Sequence, residues 1–94
     1  MSSNDFNVFE EKITFEVINI GKALITHGMG DIGEEIIAYT NIKELDLAKN
    51  YMSDNKSLII EVCNISHEYL NSLFKSISYL NHIDNLYSKT QLMN

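Results

Sequence analysis

Three of the four glycines in this 94-residue chain fall within six positions, Gly28-Met29-Gly30-Asp31-Ile32-Gly33. Their spacing is G-x-G-x-x-G, the pattern of a turn that carries the pyrophosphate of a dinucleotide. In that chemistry Gly28 would make the tight turn, Gly30 would let backbone approach phosphate, and Gly33 would let helix and strand pack closely. The mechanism needs a strand before the glycines and a helix after them, because the amides at the helix start must face the anion. Lys22-Ala23-Leu24-Ile25-Thr26 is the candidate strand and Glu34-Glu35-Ile36-Ile37-Ala38-Tyr39 the candidate helix.

Other residue types that do chemistry are dispersed. His27, His67 and His82 make no metal-ligand spacing with one another or with Cys63, and a zinc site needs a tighter cluster. Asp46, Asp54, Glu61 and Asp84 are scattered, and no Ser/His/Asp or Cys/His arrangement has a local signature. Cys63, the one cysteine, lies in the apolar run Leu58-Ile59-Ile60-Glu61-Val62-Cys63. It reads as a buried, inert thiol in a reducing compartment.

Several elements must position the glycine turn. Ile13, Phe15 and Val17 alternate with Thr14 and Glu16, a strand period over Ile13 to Ile20. Lys22 to Thr26 supplies the first core strand, and Asp31 to about Asn41 a short helix. Ile42 to Lys49 reads two ways. Leu45 and Leu47 alternate with Asp46 as in a half-buried strand, while one helix from Asp31 through Tyr51 is the competing assignment. Ser53-Asp54-Asn55-Lys56 is a turn cluster. Ser57 to Ile65 reads as a buried parallel strand, apolar on both faces except for Glu61. Ser66 can cap a helix with Glu68 in its first turn. Leu70, Leu73, Phe74, Ile77 and Leu80 then form one apolar stripe. Asn81 and His82 would end that helix, and Ile83 to Tyr87 would open a last strand.

Composition bounds the function. The hydrophobic fraction of 45% fits a globular chain, and the length allows one domain at most. Thirteen acidic and seven basic residues leave a formal charge of −6. That balance disfavours nucleic acid, whose phosphates need Lys and Arg, and it disfavours an anionic membrane surface. The start of the chain has no basic and apolar leader pattern, and no apolar run approaches a membrane span. A cytoplasmic protein is expected.

Thr26-His27-Gly28-Met29-Gly30-Asp31-Ile32-Gly33 resembles the cofactor turn of short-chain dehydrogenases/reductases, nearest to the ketoreductase domains of polyketide and fatty-acid synthases. Val62-Cys63-Asn64-Ile65-Ser66 is similar to the segment ending that family's third strand, and His82-Ile83-Asp84-Asn85-Leu86-Tyr87 to the one opening its fourth. The resemblance spans about Lys22 to Leu92 and implies NADP, or NAD, as cofactor. It implies that Thr26, Gly28, Gly30, Ile32 and Gly33 form the dinucleotide turn. It further implies that Lys49 meets the 2′-phosphate and that Asn64, with Ile65, lies against adenine. The family's catalytic Ser, Tyr and Lys would fall in a half that follows; Tyr87-Ser88-Lys89 lacks their spacing.

The expectation is therefore an α/β chain: an N-terminal extension over residues 1–21, then a partial Rossmann-like parallel sheet with flanking helices over residues 22–94. It would supply the NAD(P)-binding half of a ketoreductase without independent catalysis. Apolar surface left bare by a missing half would drive self-association or docking of a partner domain. The alternative is a small all-α protein, acidic and regulatory, that binds a partner protein.

Overall fold

The computed structural model describes residues 2–93 of the chain, with side chains between residues 6 and 87. Five helices follow one another: α1 Ser2–Thr26, α2 Gly30–Ala38, α3 Leu45–Asp54, α4 Lys56–Cys63 and α5 His67–Met93. There is no strand among the described residues. The all-α alternative holds, and the partial Rossmann-like sheet is overturned, together with the short-chain dehydrogenase and ketoreductase lineage that required it.

Each segment expected as a strand has a specific reason to be helical. Over Ile13 to Ile20 the buried set is Ile13, Val17 and Ile20, joined by Leu24 one turn on. Steps of four, three and four define one helix face. Phe15, which strand alternation would place inward with Ile13 and Val17, is 62% exposed. Lys22 to Thr26 forms the last turns of the same helix. In α3, Leu45 and Ala48 are buried and Leu47 faces water, again a helical step. The run Ser57 to Ile65 is α4 and its cap; only Ile59 is fully buried, while Ile60, Val62 and Cys63 pack partly against the core. A short apolar run has no period of its own to separate strand from helix. Ile83 to Tyr87 continues α5 instead of opening a strand.

The two long helices set the frame. At about 1.5 Å per residue α5 is about 40 Å long, and the molecule extends 48 × 23 × 20 Å. Glu16 meets Tyr69 and Phe9 meets Tyr79, so α1 and α5 run antiparallel. α2 folds back along α1, and α3 lies antiparallel to α5, with Lys49 at Ser78 and Lys43 at Asp84. The core draws on every helix, and every buried residue described as a side chain in it is apolar: Ile13, Val17, Ile20 and Leu24 meet Ile36, Leu45, Met52, Ile59, Leu70, Ile77 and Leu80. The Leu70–Leu80 stripe thus faces inward as its period predicts. Ser66 caps α5 as expected: its Oγ accepts the Tyr69 backbone N–H at 2.9 Å, satisfying one of the free donors of the first turn.

Candidate functional site

The glycine bend joins two packed helices. Gly28 is in the left-handed region at φ +85°. Its N–H donates to Ile25 O at 3.1 Å, and the next N–H, of Met29, reaches back to Leu24 O at 2.8 Å. This bond pair is how a helix stops on a left-handed glycine. Met29 packs against the core that contains Leu24, the apolar contact that accompanies such a stop. Gly30 is the first residue of α2, with open space where a Cβ would stand.

Gly33 does a different job. A Cβ built there would fall on the carbonyl oxygen of Gly21 and come within 2.7 Å of Ile25 Cγ1. A Cβ on Gly21 would meet Ile37 Cγ1 at 2.5 Å and Gly33 O at 2.9 Å. The two glycines let α1 and α2 cross backbone to backbone. The third glycine of the motif does mediate close packing, but between two helices, and its partner is the fourth glycine of the chain.

Of the remaining residues of the expected cofactor site, Thr26 and Ile32 flank this bend, while Lys49 stands on α3 and Asn64 and Ile65 follow α4. Thr26 Oγ1 donates back to Lys22 O at 3.0 Å within α1. Ile32 packs partly against the core. Lys49 lies on α3, 3.3 Å from Asp46 and 3.1 Å from Ser78 Oγ. Asn64 ends α4 in the left-handed conformation, φ 55° and ψ 48°, and both its own N–H and that of Ile65 point back to Ile60 O. Gly28 and Asn64 thus both end a helix in the left-handed conformation, each followed by an N–H that reaches five residues back. Asn is the residue after Gly that best tolerates this backbone. Both positions carry a signal that sequence reasoning could have read as a helix stop: Gly or Asn directly after an apolar-periodic run.

Electrostatics single out few groups. Tyr69 donates its O–H to Glu16 Oε1 at 2.9 Å. Partial burial, then that carboxylate, push its phenol up to about 12. Tyr39 donates to Glu35 Oε2 at 2.8 Å, and the bond raises its phenol too. Cys63 is half-buried, its S–H directed at Ile20 O at 3.9 Å, and burial pushes the thiol up. A raised thiol has less of the nucleophilic thiolate form. Among the described residues no three His, Cys, Asp or Glu side chains group as metal ligands, and no helix is long and apolar enough to cross a membrane.

What this surface offers is apolar side chains in water. Val8 and Phe15 of α1 are 66% and 62% exposed, and Tyr79 of α5 is 57% exposed. Val8 and Phe15 are two turns apart, so they share a face, and that face is not the one bearing Ile13, Val17 and Ile20. The fold and surface define a small, acidic, all-helical protein. Comparison of the chain with protein-family models, with curated proteins and with solved structures finds no match.

Proposed function

We propose that the protein works by binding another protein through a helical face. The observation that carries this reading is the Val8–Phe15 pair left in water on α1. Burying either side chain would stabilise a complex by roughly 1.5–3 kcal/mol, a gain the monomer forgoes although its core is otherwise closed and wholly apolar. Acidic composition supports a soluble, charge-selective binder. The experiment is photo-crosslinking in the producing cell, with a benzophenone amino acid placed in turn at Phe15, Leu47 and Tyr79, one exposed position on each of α1, α3 and α5. A discrete heavier adduct from at least one position is expected. Absence of any adduct from all three overturns the reading.

A further inference from the structure

The partner's chemistry follows from where the charge lies. Residues 1–41, which form α1 and α2, hold seven acidic and two basic side chains; residues 42–94 hold six and five. The hairpin thus carries −5 of the chain's −6, and the rest is close to neutral. On this hairpin α1 and the end of α2 border an open groove of about 370 Å³. Glu10, Glu11, Thr14, Phe15 and Ile18 of α1 line it together with Thr40 and Asn41, which follow α2. Neither hairpin cation, Lys12 or Lys22, lines it. Lys43, two residues past Asn41, is committed to Asp84 at 3.4 Å. Apolar side chains and two carboxylates thus line one groove, with no cation among the lining residues.

We propose that this groove docks a cationic amphipathic segment of a partner protein. An apolar side chain of the segment rests on Phe15 and Ile18, and its Lys or Arg residues face Glu10 and Glu11. A second copy of this chain is disfavoured as the occupant, because two hairpins of charge −5 would be brought together and like charges across an interface repel. The inference rests on the partner-binding reading above and specifies its site and its ligand class.

The test uses the full chain and a defined probe: a fluorescent 18-residue helix of leucine and lysine, and the same helix with glutamate replacing lysine. Anisotropy should show saturable binding of the lysine helix, weakening as salt rises from about 0.05 to about 0.5 M, and none of the glutamate helix. Phe15→Ala should weaken binding about tenfold, an ordinary loss for truncating an aromatic anchor, and the double variant Glu10→Gln/Glu11→Gln should weaken it and flatten the salt dependence. Phe15, Glu10 and Glu11 lie outside the buried core, so circular dichroism should confirm unchanged folding. The proposal is overturned by failure of the lysine helix to bind, by equal binding of the glutamate helix, or by binding that Phe15→Ala leaves untouched. Sedimentation showing a dimer that Phe15→Ala dissolves would assign the face to a second copy and also overturn it. Crosslinks from Leu47 or Tyr79 but not from Phe15 would sink this site while leaving the partner-binding reading intact.

Discussion

The three glycines of the G-x-G-x-x-G run should respond to alanine in three different ways. Gly33→Ala forces a methyl group onto the Gly21 carbonyl; backbone cannot yield as a flexible side chain would, and a loss of about 2–3 kcal/mol is expected. Gly28→Ala puts a Cβ on a left-handed residue at a loss of about 1 kcal/mol. Gly30→Ala meets nothing within 4 Å and should leave stability level or raise it by up to about 1 kcal/mol through the helix preference of alanine. Urea unfolding of the three variants decides the ranking. The amides of Gly28 and Met29 already donate to Ile25 and Leu24, so titration with NADPH or NADH is expected to give no saturable signal. Tyr69 supplies a pH prediction. A tyrosine in the unfolded chain ionises near 10, whereas in the fold it is held up to about 12. The native state keeps the proton more tightly, so this contribution is complete below about pH 10 and is lost as pH rises towards 12. Melting temperature should fall less steeply across that interval in Tyr69→Phe than in the parent.

At the scale of elements, the helices written with a complete grammar were legible. Ser66 before Glu68, followed by Leu70, Leu73, Ile77 and Leu80, has a cap, a dipole partner and a long stripe, and the structure honours all three. Ser53 to Lys56 contains the break between α3 and α4, although the break itself narrows to Asn55. The failures share a cause. Ile13-Thr14-Phe15-Glu16-Val17 alternates only because a water-facing position carries Phe15, and α4 is eight residues, too short to display a period. β-branched residues at Ile13, Val17 and Ile20 reinforced the wrong period, since tertiary burial overrides local preference. The dinucleotide-fold reading failed at the same level: the element before the glycines is a helix, α1, and not a strand. Ile77 tests the helical core directly. It is fully buried on α5, and Ile77→Ala should lose about 2–5 kcal/mol, enough to unfold a chain of this size near physiological temperature; a thermal melt by circular dichroism would show it.

Taken whole, the molecule distributes charge and burial unevenly. α3, α4 and α5 bring near-neutral charge and most of the buried residues, while the α1–α2 hairpin brings most of the net charge and the exposed Phe15. Within the hairpin, α1 and α2 close on each other at the contact between Gly21 and Gly33, where no side chain intervenes. Solvent deuterium has no path between two backbones in direct contact. The amides around this crossing should therefore exchange more slowly than those of the outer turns of α1, and the residues whose letters most suggest a loop would keep their protons long after the ends of the same helix have lost theirs.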